Sequence, residues 1–218
     1  MHLRLELTHN YGDVLIDLGD FQYAIEKFNF SLLIADEINK LQTQIVARAG
    51  LAQAYLFQND AVNARANIEA ALQYNVPRNN HGVTSLYGII LLRQGEHGNV
   101  SEARDAFTRA IAQADELLVQ SPEYYSALDT RGLALCGLAI CRSRLRSPGR
   151  GQRDPGDNEE LSRSKRDLQD AIETFRTARK VAPHAGIVKR ALRLFDELVK
   201  CDEQGILKNM RNAVEGRE

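Results

Sequence analysis

Residues 18–28, LGDFQYAIEKF, place a Gly-Asp turn ahead of a helix in which a small residue, Ala24, and a large one, Phe28, stand one turn apart. Positions i and i+4 share a helix face, so the pair marks one line of contact. Ser31 extends that line to i+7. The same small, large, small order returns at Ala64, Ile68 and Ala71, at Ala103, Phe107 and Ala110, and at Ala171, Phe175 and Ala178. Another helix precedes each copy, carrying in turn Tyr11-Gly12 with Leu15, Leu51-Ala52 with Tyr55, Tyr87-Gly88 with Leu91, and Arg131-Gly132 with Leu135. Each repeat reads as a pair of helices.

Apolar residues recur at helical spacing along almost the whole chain, and Val, Ile and Thr never collect into alternating runs, so the sequence predicts an all-α protein. Prolines occur only at positions 77, 122, 148, 155 and 183, each beside a loop signal, as expected where helices end. The predicted units span about 3–40, 43–76, 80–119 and 122–183. The last is lengthened by RSRLRSPGRGQRDPGDNEE, residues 142–160, which has no apolar period and reads as a long loop. Helices over 184–214 are expected to cap the array, because the last apolar face of a stack has no next repeat to cover it. A small residue on the first helix lets the second approach closely, so Gly12, Ala52, Gly88 and Gly132 are expected to face the small residues of their partners. Phe28, Ile68, Phe107 and Phe175 then fill the space between one pair and the next.

The 218 residues carry 28 basic and 29 acidic side chains, a formal charge of -1, which argues against the uniform positive field of a non-specific nucleic-acid binder. Cys136, Cys141 and Cys201 are odd in number and never spaced as CxxC, so the sequence predicts neither a disulfide framework nor a zinc knuckle. A reducing, cytoplasmic setting is the expectation. The opening MHLRLELTHN lacks the apolar core of a signal peptide, and the longest apolar run, GLALCGLAIC at 132–141, is half the roughly 20 residues a membrane span requires.

Taken together, Tyr11-Gly12, Leu15, Gly19, Ala24, Phe28 and Ser31 in the first unit, and Ala171, Phe175, Ala178 and Pro183 in the last, resemble the tetratricopeptide repeat. Tryptophan is missing from the first helices, the units exceed 34 residues, and HGN at 97–99 is expected to lengthen the third turn. The resemblance implies a right-handed α-solenoid of helical hairpins, a protein–protein or protein–peptide interaction scaffold rather than an enzyme. Longer, degenerate repeats of this kind also resemble the sensor arms of STAND-type signalling NTPases and of peptide-responsive transcription regulators. That is the alternative expectation.

No G-x4-GK[ST] loop, HExxH pair, GxSxG elbow or GxGxxG turn occurs, so no catalytic residue and no cofactor is expected. The five histidines are scattered and predict no metal site. The arginines at 142, 144, 146, 150 and 153 make the one concentrated basic segment, read as a solvated loop because no aromatic residue is interleaved for base stacking. In the family the sequence resembles, partners bind along exposed positions of the first helices. These correspond to Glu6, His9, Asp13 and Asp17 in the first unit, Gln53 and Phe57 in the second, Ser85, Ile89 and Arg93 in the third, and Asp129 in the fourth. The acidic group in the first unit points to a ligand of basic character. The carboxylate clamp of chaperone-binding arrays is not expected, since its Lys and Asn positions hold His9, Asp13, Gly50, Gly82 and Leu86.

Overall fold

A computed structural model of the chain describes residues 2–95, 97–145 and 155–217. Those residues form ten helices and no strand: α1 His2–Leu18, α2 Phe21–Glu37, α3 Leu41–Phe57, α4 Ala61–Leu72, α5 Pro77–Gln94, α6 His97–Gln120, α7 Tyr125–Leu145, α8 Pro155–Val181, α9 Ala185–Val199 and α10 Arg211–Glu215. From α1 to α8 each helix packs on the next. The first helices of successive pairs also touch, α1 on α3, α3 on α5 and α5 on α7. None of the described helices is long and apolar enough to cross a membrane.

The quoted turn folds as its chemistry requires. Gly19 takes φ +87°, and the Asp20 carboxylate caps α2 by accepting from the Tyr23 backbone N–H at 3.4 Å. The next hairpin repeats the device with different residues. Asn59 adopts φ +62°, and Asp60 caps α4 by accepting from the Asn63 N–H at 3.0 Å. That bond, with a second donated by Asn63 Nδ2 at 2.7 Å, holds the Asp60 carboxyl below its ordinary value.

All four pattern alanines, Ala24, Ala64, Ala103 and Ala171, are fully buried, as are Phe28, Ile68, Phe107 and Phe175. The contact between the paired helices differs from the expectation. The glycines do not make room for an alanine; they make room for a phenyl ring. A Cβ on Gly12 would stand 2.6 Å from the Phe28 ring, and one on Gly50 of the following pair would also stand 2.6 Å from it. Phe107 lies likewise between Gly88 and Gly137, and Phe175 against Gly132. The rings of Phe28 and Phe107 are wedged where their own pair meets the next first helix, so one side chain ties three helices together.

Three further expectations change. HGN at 97–99 does not lengthen a turn but opens α6. The long loop is shorter than its composition suggests: α7 runs to Leu145 and α8 begins at Pro155, while residues 146–154, with Arg146, Arg150 and Arg153, lie outside the described residues. Charge pairing explains the added helix. Arg142 meets Asp167 at 2.7 Å and Glu160 at 3.0 Å, both on α8, and Arg144 donates to the Cys201 carbonyl at 2.5 Å and meets Glu203 at 3.1 Å. The third change concerns the chain end. α10 packs on α8 and α9, but α9 itself lies against α5 and α7 and reaches α1.

Candidate functional site

The first helices of all four pairs line one cavity of about 380 Å³. α1 contributes Asp13 and Ile16; α3 contributes Val46, Ala49, Gly50 and Gln53; α5 contributes Arg78, His81, Gly82, Ser85 and Leu86. Tyr124, Tyr125, Ser126, Asp129, Thr130 and Leu133 come from α7 and the turn before it, and Ile187, Arg190, Ala191 and Leu194 from α9. Small residues on α3 and α5 leave the space. The lining is mixed, joining aliphatic side chains such as Ile16, Leu86 and Leu133 with charged ones such as Asp13, Arg78 and Arg190.

Two titratable groups at the floor are displaced from their ordinary ranges. Burial pushes the His81 imidazole down to about 4, so it is neutral near pH 7; its Nε2 lies 3.4 Å from Ser126 Oγ. Its ring tilts against Tyr124 at 6.0 Å between centroids, and the Arg78 guanidinium lies 6.0 Å over the same tyrosine. Asp129 is pushed up to about 6, chiefly by burial, against the pull of Arg179, whose Nη2 pairs with its Oδ1. A buried carboxyl near pH 6 is one ingredient of acid–base catalysis. Here the Asp129 carboxylate is engaged by the Arg179 guanidinium.

The other predicted residues divide by what they touch. Asp13, Gln53, Ser85 and Asp129 line the cavity, with Ser85 and Asp129 sunk into its floor. Asp17 faces α9, where the Arg190 guanidinium reaches its carboxylate at 2.8 and 3.0 Å. Arg93 meets Glu197 of α9 at 2.9 Å and donates to Asn59 Oδ1 at 2.7 Å. Phe57 does not face the cavity; its ring packs on Phe21 with centroids 5.4 Å apart. Ile89 is not exposed at all, because α4, α6, α7 and α9 crowd α5 from several sides. The side chains of Glu6 and His9 lie outside the described residues.

Sequence reasoning missed the aromatic group at Tyr124, Tyr125 and His81 and the whole contribution of α9. The tyrosine pair beside Pro122 was a readable turn signal. Nothing local says that α9 returns to α1, since that contact spans more than 170 positions. No group of three His, Cys, Asp or Glu suited to a metal occurs among the described residues.

No protein-family model matches the chain, and comparison with curated proteins finds no relative.

Proposed function

We propose that the chain is a tetratricopeptide-like interaction module, a right-handed α-solenoid that binds a protein or peptide in the cavity along its first helices, and that it is not an enzyme. One observation supports this most directly: Asp13, Gln53, Ser85 and Asp129, drawn from four separate repeats, converge on a single cavity. Side chains 32 to 44 residues apart in the sequence share one cavity, as stacking of the pairs in order would bring about. An elongated ligand crossing the first helices would touch every repeat, gaining apolar contact from Ile16, Leu86 and Leu133 and orientation from charge. Placement in the cytoplasm and the absence of a cofactor belong to the same reading.

Site-specific photo-crosslinking tests it. A crosslinker at Gln53, inside the cavity, is expected to capture a partner in cells that express the chain, and one at exposed Glu26 on α2 is not. Charge reversal at Asp13 should diminish the Gln53 product. Equal capture from both positions would place binding elsewhere. A sensor arm of a larger signalling NTPase is the second reading; a nucleotide-binding segment encoded in the same gene would favour it.

A further inference from the structure

The cavity is walled on one side by a helix of the same chain, and that helix is docked as a ligand would be. α9 presents Ile187, Ala191 and Leu194, at i, i+4 and i+7, to the cavity. Its cations converge on a single residue of α1. The Arg190 guanidinium pairs with the Asp17 carboxylate at 2.8 and 3.0 Å, while Lys189 Nζ and Arg193 Nη2 donate to the Asp17 carbonyl at 2.5 and 2.8 Å. That carbonyl belongs to the last turn of α1, where carbonyl groups lack intrahelical donors and the helix end carries partial negative charge. Asp13, which lines the same cavity, adds its attraction to Arg190.

The two halves of α9 are held differently. Its C-terminal half is core: Phe195, Glu197 and Leu198 are buried, and Glu197 meets Arg93. Its N-terminal half sits at the rim, with Ala185, Gly186, Lys189 and Arg190 exposed and Ile187 and Val188 half-buried. Polar contacts to Asp17 hold the part that is least buried. Such a segment opens more readily than the core to which it is attached.

We infer that the cavity is a receptor for a basic amphipathic helix, that residues 185–194 are its resident occupant, and that a partner helix binds by displacing them. This rests on reading the cavity as a binding surface. The partner's chemistry follows from the occupant: aliphatic residues at i and i+7 with a small residue at i+4, and Lys or Arg at i+2, i+3 and i+6. Tethering gives the resident segment an effective concentration on the order of millimolar, so a free helix competes well only when the segment is loosened.

The probe is a fluorescein-labelled peptide of residues 184–194, titrated by anisotropy onto the full chain. Arg190→Glu in the chain loosens the resident segment and is expected to tighten peptide binding at least tenfold over wild type. Adding Asp17→Lys should abolish that gain, and a peptide with all three cations changed to Glu should not bind. Ile187→Ser loosens the same segment without altering charge and should also tighten binding, which keeps the test sound if Arg190→Glu fails to fold. Equal affinity for wild type and both loosened chains, or binding indifferent to Asp17→Lys, overturns the proposal. If Gln53 still crosslinks a partner while the basic peptide fails, only this inference falls; if both fail, the binding reading falls with it.

Discussion

Gly88→Ala puts the three-helix wedge to a quantitative test. In an open helix interior, replacing Gly by Ala stabilises by roughly 1 kcal/mol, because Gly gives up more backbone freedom on folding. At Gly88 the added Cβ would stand 2.7 Å from the Phe107 ring, closer than real Cβ contacts come. The ring has no retreat, since Gly137 of α7 presses on it from the far side and Phe107 is completely buried. Overpacking of this kind costs about 1–3 kcal/mol, and a ring pinned on both sides belongs at the upper end. The two effects leave Gly88→Ala about 2 kcal/mol less stable than wild type. At this chain length that lowers Tm by roughly 4–8 °C. Gly82→Ala, on the same helix with nothing within 4 Å of the new carbon, should instead gain up to about 1 kcal/mol. Urea titration at constant m-value measures both. Phe107→Leu in the Gly88→Ala background should cost less than the two single changes added together, because the smaller side chain relieves the clash. If Gly88→Ala matches Gly82→Ala in sign, the ring is not wedged, and the account of how successive pairs are joined is wrong.

Three other measurements follow from buried groups. His81 is neutral in the fold down to about pH 4, whereas the unfolded chain protonates it below about 6.5. Its contribution is therefore complete above pH 6.5 and lost as pH falls towards 4, by about 3 kcal/mol at about 1.36 kcal/mol per pKa unit. Asp129, raised to about 6, has the opposite sign, since stability falls as pH rises from about 4 through 6. Comparing wild type with His81→Leu cancels the Asp129 effect, and the variant should lose the acid-side slope; parallel profiles would refute the assignment. Asp129→Ala strands Arg179, itself 6% exposed, and should destabilise by about 3 kcal/mol, while Asp129→Ala with Arg179→Met should recover part of the loss in urea titrations. Burial pushes all three thiols up, Cys141 to about 12 and Cys201 to about 11, so thiol-specific labelling should be slow in the native chain and rapid for all three in denaturant.

Local packing was the legible part of this chain. Ala24 with Phe28 and its three later copies encode which face of each second helix is buried, because helical spacing alone fixes that geometry. The glycines were legible as gaps but not as to what fills them, since the choice between an alanine and a ring depends on where the neighbouring pair sits. Composition misled at the fourth unit. Arg142 and Arg144 looked like solvated loop residues, yet their partners, Asp167, Glu160 and Glu203, lie one or more helices away, and pairing with them carries α7 three residues beyond Arg142. Charge runs are read from sequence without their counter-charges, and that is where the error arose.

The candidate site shows the same division in sharper form. Stacking order places Asp13, Gln53, Ser85 and Asp129 on the cavity from the periodicity of the first helices. Ile89 follows the same periodicity and yet is buried, because α5 is covered on more sides than the helices near the chain ends. Asp17 and Arg93 are the informative pair. Both were marked by position as residues that bind something, one acidic and one basic, and both are engaged by α9 with charges of the opposite sign, Arg190 and Glu197. The first contact lies at the exposed start of α9 and the second in its buried half, where Glu197 is core. The basic character expected of a ligand from Asp13 and Asp17 is met within the chain by Lys189, Arg190 and Arg193, which position along a first helix could not reveal, because the counter-charges lie more than 170 residues away.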